Sequence, residues 1–447
     1  MLDPKVFKAY DVRGLYPSEL DEEGAYRIGR AFVEQFEPKS IAVGRDMRVA
    51  SPSIAAAVIE GAAEGGSEVK DIGMIGTEML YFAVGDLGLD GGITVTASHN
   101  PKDFTGMKIV RRGALPVGGD SGLLEIRDRA LSLQATAGSD SVVAEKVDIY
   151  PAFVEKVLSF IDPSVLKPLR IVIDAGNGMA GAMLSPILER LPIDPVRCFF
   201  EPDGTFPNHE PNPLLPENRE FIIAKVIEEK ADLGIAFDGD ADRCFFVDDT
   251  GEFVPGDFVT ALLAESILER EPGAKIIYDV RASWAVRDTI ERAGGVPLMN
   301  RVGHAFIKLR MREEGAVFAG EVSGHYYFRD FNQADSGTIP ALLMLELDSK
   351  RDKRLSELLR PYRERYFLTG ELNTPVEDVA LKLQELKEHF AGQGEISHLD
   401  GISVTADDWH MNVRPSNTEP LLRLNLEALD PDLMNQKRDE VLEIIRS

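Results

Sequence analysis

The chain has 447 residues, too many for one hydrophobic core, and ordinary domain sizes predict about three or four domains. A formal net charge of −26 opposes binding to nucleic acid or to an anionic membrane surface, and Cys198 and Cys244 are too few for a disulfide framework. The opening Met1-Leu2-Asp3-Pro4-Lys5 lacks a signal peptide's apolar core, and no stretch reaches the roughly 18 apolar residues of a membrane span, so a cytoplasmic location is expected. The same acidity opposes small anions in general, so a site for one would have to concentrate Arg and Lys against the global field.

Along the chain, Ile41 to Asp46 is a short apolar run ending in a polar turn, followed by a helix-like segment from Ser53 to Glu64 and a second strand-like piece from Glu68 to Ile72. Ile93 to Thr96 is β-rich and leads into Ala97-Ser98-His99-Asn100-Pro101, a hydroxyl nucleophile beside an imidazole and a rigid turn. Taken alone, Ser-His-Asn-Pro reads as a turn whose side chains bond local backbone. Gln134 to Ser141, rich in Ala, Ser and Thr, reads as a surface stretch before a domain boundary. The strand, turn, helix pattern returns at Arg170 to Gly176 with Met179 to Arg190. It returns again at Lys275 to Arg281 with Ser283 to Ala293 and the strand Gly295 to Met299. This weak repeat predicts parallel βαβ units with functional loops at the carboxyl ends of their strands.

Just past the apolar run Leu233 to Phe237 come Asp238-Gly239-Asp240-Ala241-Asp242-Arg243. Three carboxylates this close repel one another unless a cation neutralises them, which points to a hard, oxygen-loving ion such as magnesium. The spacing also opens a helix-loop-helix calcium loop, but the sixth and twelfth positions, which need Gly and Glu, hold Arg243 and Asp249. An aspartyl phosphatase with Asp238 as nucleophile would share the first two carboxylates, and a solvated acidic turn is the plain alternative. After Arg360-Pro361-Tyr362 the pattern changes to alternating strands, a charged helix from Val376 to Phe390, a hairpin-like stretch from Gly401 to Trp409 and a final helix from Leu433 to Arg446. These predict a smaller α+β domain with an antiparallel sheet.

The serine stretch and the carboxylate loop occur together with Gly320-Glu321-Val322-Ser323-Gly324-His325, with Arg414-Pro415-Ser416-Asn417-Thr418-Glu419-Pro420, and with Phe7-Lys8-Ala9-Tyr10-Asp11-Val12-Arg13-Gly14. In this order, over essentially the whole chain, they resemble the alpha-D-phosphohexomutase family, in its bacterial phosphomannomutase/phosphoglucomutase branch. Tyr326 to Asp330 and Asp335 to Thr338 are similar to the same branch, whereas a phosphoglucosamine mutase would show Gln before the serine of the sugar loop. One departure is Thr105-Gly106-Met107-Lys108, where the family usually has Asn-Gly-x-Lys.

The resemblance implies an α/β fold: three similar βαβ-type domains with mixed sheets plus a C-terminal α+β domain, arranged around a central cleft. The expected domains are 1–147, 148–251, 252–366 and 367–447, carrying the phosphoserine, metal-binding, sugar-binding and phosphate-binding loops in turn. The implied activity interconverts a hexose 1-phosphate and 6-phosphate, of mannose or glucose, through a phosphoserine enzyme and a hexose 1,6-bisphosphate that also serves as activator. Ser98 would carry the phosphoryl group and, with Asp238, Asp240 and Asp242, bind Mg2+, with Arg243 as a fixed charge beside it. Lys108 and His325 are the candidate general acid and base, with His99 as helper and Arg13 beside them. A lysine base needs a lowered proton affinity, which cationic surroundings would supply. Glu321 and Ser323 would grip the sugar's 3- and 4-hydroxyls, which exchange places under a half-turn. Arg414, Ser416, Asn417 and Thr418 would hold the phosphate not being transferred, with Tyr10, Arg281 and His304 completing the cleft. The expected partners are small-molecule sugar phosphates, and the expected state is a monomer or weak homodimer. A phosphoglucosamine mutase or a sugar-phosphate phosphatase acting through Asp238 are the alternatives. The retained Ser98, Lys108 and three Asp residues count against a non-catalytic binder.

Overall fold

The computed structural model describes residues 2–133, 144–416 and 421–447, so the Gln134–Ser141 stretch and residues Asn417 and Thr418 lie outside the described residues. The first sheet runs in the order Val12–Leu15, Phe104–Arg111, Gly91–Val95, Ser40–Arg45, Glu68–Met74, Glu145–Lys146. Ser40–Arg45 pairs parallel with both neighbours, whereas Phe104–Arg111 pairs antiparallel with Val12–Leu15, Gly91–Val95 and the short Leu115–Pro116, so the sheet is mixed. Every residue of Gly91–Val95 is buried, the state of a strand covered on both faces. The second sheet repeats the plan: Asp194–Cys198, Arg170–Asp174 and Leu233–Phe237 run parallel, and Cys244–Asp248 with Phe253–Val254 adds antiparallel strands.

In the third repeat, Lys275–Asp279 lies parallel between Val296–Asn300 and Phe318–Gly320. Tyr326–Phe328 and Ala334–Asp335 form an antiparallel pair. The last sheet, Phe367–Pro375, Leu421–Ala428, Trp409–Pro415, Ile402–Thr405, Glu395–Ser397, is antiparallel throughout, as expected of an α+β domain. Leu386 of the helix Val379–His389, Phe390 just after it, and Val441 and Ile445 of the helix Pro431–Arg446 share its core. The chain divides into two compact units, Met1–Val254 with Ser323–Leu355, and Pro255–Val322 with Ser356–Ser447. No helix of the described residues is long and apolar enough to cross a membrane.

Helix limits differ from the sequence expectation where a cap decides them. The helix expected from Val376 starts at Val379, because the Asp378 side chain accepts the Leu381 amide. The one expected from Leu433 starts at Pro431, since Asp430 accepts the amides of Asp432 and Leu433 and a proline at the first position loses no helical bond.

The helices Glu22–Phe36 and Ser51–Glu64 supply Ile28, Phe32, Ile54 and Val58 to the core of the first sheet, and they touch through glycine. A Cβ on Gly61 would lie 2.0 Å from the Tyr26 carbonyl oxygen, and one on Gly29 would lie 2.4 Å from that of Val58. Both clashes are with main chain, which cannot rotate away. Gly61→Ala is therefore expected to destabilise this portion by about 2 to 3 kcal/mol as an overpacked core site. Urea unfolding followed by circular dichroism checks this, and a midpoint equal to the parent's would show that the helices part without cost.

Candidate functional site

The first unit gathers its reactive groups on loops at the carboxyl ends of buried strands. Asp238 directly follows Leu233–Phe237, and Ser98 lies three residues beyond Gly91–Val95. The two loops touch through main chain: a Cβ on Gly239 would lie 2.4 Å from the Ser98 carbonyl oxygen. Thr77 N–H donates to the Asp240 carbonyl at 3.0 Å and Met179 N–H to that of Gly239 at 2.9 Å, so the carboxylate loop is held from outside. Ser98 is buried and has φ +50°, a left-handed conformation uncommon for a residue with a side chain. Its loop is pinned by Arg48, which is 2% exposed. The Arg48 guanidinium donates to the carbonyls of Ser98 at 2.8 Å, Asn100 at 2.5 Å, Pro101 at 2.7 Å and Phe104 at 3.2 Å. Sequence reasoning did not single out Arg48; the only signal was the polar turn closing the first repeat unit.

The Ser98 hydroxyl lies 2.9 Å from Asp238 Oδ2 and 3.1 Å from His99 Nδ1. Arg243 grips the same carboxylate, donating from Nε at 2.9 Å and Nη2 at 2.7 Å to Oδ2, and from its main-chain N–H at 3.2 Å to Oδ1. Arg243 Nη2 is also 2.5 Å from His99 Nδ1. Because a guanidinium only donates, that nitrogen accepts and the ring proton sits on Nε2. Burial, and then the Arg243 charge, hold His99 well below its ordinary pKa, so the ring is neutral. Arg13 donates to Asp11 Oδ2 at 2.9 Å and to Asn100 Oδ1 at 2.5 Å, bringing a further cation to the serine loop.

Lys108, on Phe104–Arg111, bridges Asp240 Oδ2 at 2.8 Å and Asp242 Oδ2. Burial acts to lower its pKa, but the two carboxylates outweigh it and the value is raised. This corrects the expected lowered proton affinity: the nearest charges are anions, and Lys108 stays a cation. Burial would lift Asp240, yet the Lys108 charge and hydrogen bond bring it below the ordinary range, while burial and then Asp240 push Asp242 well up. His325 Nδ1 is 2.9 Å from Ser323 Oγ, its Nε2 is 3.8 Å from Asp242 Oδ1, and its main chain bridges that of Arg243.

Asp238, Asp240 and Asp242 are fully enclosed, and one oxygen of each lies within 4.8 Å of the others. Oδ1 of Asp240 and Oδ1 of Asp242 have no hydrogen-bond donor among the described residues. Buried carboxylate oxygens without donors are costly, and a small hard cation is the group that fits them. Asp242, His325 and Asp335 form a second such set sharing one member with the first.

In the second unit, Arg281 donates from Nε and Nη2 to the two oxygens of Asp279 at 2.9 Å each, and lies 3.9 Å from Glu321 Oε1. Glu321 accepts the Gly303 amide at 3.1 Å, immediately before His304 opens the helix His304–Glu314. Arg281 Nη1 and Arg414 Nη2 both reach Glu371 Oε2 at 3.3 Å, and Arg423 Nη1 reaches Oε1 at 2.7 Å. Ser416 Oγ is 3.4 Å from Arg423 Nη2. The structure thus gathers Ser98, His99, Arg13, Lys108, the three aspartates, Arg243, His325 and Ser323 within the first unit, and Arg281, Glu321, Arg414 and Ser416 within the second. Tyr10 is half-buried in the turn before Val12–Leu15. Glu371 and Arg423 belong to no recognisable motif and went unnoticed; Asp279 could have been found as the polar end of the third repeat strand.

Four family models match in sequence order: phosphoglucomutase/phosphomannomutase alpha/beta/alpha domain I over residues 4–135, domain II over 151–251, domain III over 255–366 and the C-terminal domain over 371–444. The chain is 45% identical over 442 residues to a protein named phosphohexose mutases from Xanthomonas campestris pv. campestris, covering 98% of this chain and 99% of that one. It is 44% identical over 448 residues to a phosphomannomutase of Escherichia coli K12, covering 98% of each. A crystal structure of a phosphoglucomutase/phosphomannomutase family protein from Burkholderia thailandensis superimposes with a TM-score of 0.90 at 34% identity, over 100% of this chain and 98% of that one.

Glu78 ties these loops together. It follows Thr77, whose hydroxyl donates to Asp240 Oδ2 at 2.5 Å, and its own carboxyl receives Ser336 Oγ, Thr338 Oγ1 and the Thr338 amide. Complete burial pushes it up to about 8 despite those bonds. The folded form then binds a proton that the unfolded chain has already released, so stability falls as pH rises from the ordinary carboxyl value towards about 8, by about 1.4 kcal/mol per pH unit. Glu78→Gln removes that slope. Its stability relative to the parent is expected to improve steadily with pH across this window in urea titrations, and a constant difference would mean that the carboxyl is ionised throughout.

Proposed function

This chain belongs to the phosphoglucomutase/phosphomannomutase family of hexose phosphate mutases, and from that premise we propose that it interconverts the 1- and 6-phosphates of mannose and glucose through a phosphorylated Ser98. The observation that carries this proposal is the Ser98 hydroxyl 2.9 Å from a buried Asp238, in a cluster of side chains that includes the cations Arg243, Lys108 and Arg13. Phosphoryl transfer asks for positioning and for charge to balance the equatorial oxygens more than for covalent chemistry. A left-handed serine held by Arg48 supplies the first, and the three cations supply the second.

In the forward direction the Ser98 phosphoryl group passes to the free hydroxyl of a hexose monophosphate, giving the 1,6-bisphosphate. The bisphosphate turns round and returns its other phosphoryl group to the Ser98 oxygen. A bisphosphate added from outside would recharge a dephosphorylated serine, which is its role as activator. His325 serves as the proton carrier for the substrate hydroxyl. Lys108 keeps its proton and acts as fixed charge, and neutral His99 orients Arg243 through Nδ1. Asp238, Asp240 and Asp242, with the Ser98 phosphate, would hold Mg2+, which when bound neutralises charge on the transferring group.

Glu321 and Ser323 would take the 3- and 4-hydroxyls, leaving position 2 unread, so that both sugars are accepted. Arg414 and Ser416, with Asn417 and Thr418, would bind the phosphate not being transferred, with Tyr10, Arg281 and His304 as further contacts. The four loops fall in the proposed domains 1–147, 148–251, 252–366 and 367–447.

Purified protein is expected to carry phosphate on Ser98, and Ser98→Ala to lose nearly all turnover with either 1-phosphate. Peptide mass analysis that finds the phosphate on Asp238 would refute the proposal. Asp240→Asn should weaken magnesium retention and depress turnover by orders of magnitude, since it removes one negative charge from a buried set and puts an NH2 donor in place of one carboxylate oxygen. Full activity of the parent in excess chelator would contradict the metal's role. Arg414→Ala should lower kcat/KM about a hundredfold, roughly 2 to 3 kcal/mol for a lost charge-assisted contact, with the Ser98 phosphate retained. Unchanged kinetics would mean that the loop is only a turn.

A further inference from the structure

The geometry points to Glu371 as a built-in competitor for the substrate's phosphate: its carboxylate takes the donors of Arg281, Arg414 and Arg423, yields them when a sugar phosphate arrives, and reclaims them to release it. The inference deepens the mutase proposal and rests on its assignment of the Arg414 loop to phosphate.

Glu371 lies on Phe367–Pro375, opposite Asn425 of Leu421–Ala428. Both of its oxygens are engaged by guanidinium nitrogens, Oε2 by Arg281 and Arg414 at 3.3 Å and Oε1 by Arg423 at 2.7 Å. Two of these contacts are long for charge-assisted bonds, which run at about 2.7 to 2.9 Å. The carboxylate therefore spans the cluster rather than saturating it. Arg414 is 7% exposed, and neither its Nε nor that of Arg423 has an acceptor among the described residues. Burial alone would raise the Glu371 pKa, but Arg281, Arg423 and Arg414 together bring it below the ordinary value, so the group is ionised. Burial and then the Arg281 charge draw the Arg414 pKa down, as expected where cations crowd with too little negative charge.

Arg281 already has Asp279 as a bidentate partner. Glu371 is then one negative charge shared mainly between Arg414 and Arg423, with the Asp400 carboxylate as a more distant influence on Arg414. A phosphate monoester offers three terminal oxygens and close to two charges, and it can fill the idle Nε–H donors as well as those Glu371 now occupies. It wins the exchange by a margin set by what Glu371 already provides. That margin matters because the bisphosphate must let go of the clamp to turn round. An uncompensated arginine cluster would bind the monophosphate and the bisphosphate too well, and binding that does not favour the transition state slows turnover.

The test uses the full-length protein. Glucose 1-phosphate binding is measured by calorimetry on Ser98→Ala and on Ser98→Ala with Glu371→Gln, and steady-state kinetics are measured with Ser98 intact and Glu371→Gln alone. Glu371→Gln is expected to tighten binding about five- to tenfold, roughly one order of magnitude in Kd, and to lower KM and kcat together, a split that a merely structural role does not produce. Glu371→Asp, which keeps the charge but retracts the oxygens, should tighten binding less, and it carries the test if Glu371→Gln does not fold. Unchanged or weaker binding would overturn the inference and make Glu371 a brace for the arginines. If the parent turns over neither mannose nor glucose 1-phosphate, the mutase proposal fails on its own account. Normal parental turnover with unimproved binding defeats the Glu371 inference alone.

Discussion

Three carboxylates buried in five consecutive residues are the constraint around which the first unit is built. Asp238, Asp240 and Asp242 lie at the end of a strand with no exposed residue, where unpaired charge is expensive. Their compensation comes from separate stretches of chain: Lys108 from the first sheet, Arg243 from the far side of the same loop, and Thr77 from the start of a helix. Each of these contacts draws a loop towards the aspartates. The cluster thus assembles the loops as well as being assembled by them, and the position of Ser98 is one result.

The second unit faces the inverse problem. Arg281, Arg414 and Arg423 converge, and the acidic composition of the chain supplies the answer locally through Asp279 and Glu371. A net charge of −26 is therefore compatible with handling anions, because the cations are placed in the two clusters where they are needed. The clusters differ in what they leave unfilled: carboxylate oxygens in the first, guanidinium N–H donors in the second. Taken separately, the first is suited to a cation and the second to an anion.

Much of this was legible in the residues because it is written in local patterns. The repeat of apolar run, polar turn and helix forecast the parallel strands Ser40–Arg45, Arg170–Asp174 and Lys275–Asp279, and alternate aspartates forecast the metal-type loop. The contacts that went unread are between distant stretches. Arg48 acts on carbonyls about fifty residues away and looks like any surface arginine in a turn, while Glu371 and Arg423 lie on adjacent strands whose register no local pattern reveals. Lys108 was recognised, but its ionisation was misjudged. Its proton affinity depends on which charges are nearest in space, and the sequence shows cations nearby while the fold places anions closer.

Under the proposed mechanism the charge on Ser98 changes at every turnover, and Arg48 governs how its backbone responds. Its four hydrogen bonds to this loop all go to main chain, to the carbonyl oxygens of Ser98, Asn100, Pro101 and Phe104. The anchor is thus indifferent to what the hydroxyl carries. In the proposed cycle the side chain gains and loses a highly charged group while the backbone beneath it stays clamped, so the nucleophile returns to one place after each turnover. Load and mounting are separate parts, and the cost of reordering the loop, which would otherwise recur with every exchange of phosphate, is met once, when the protein folds.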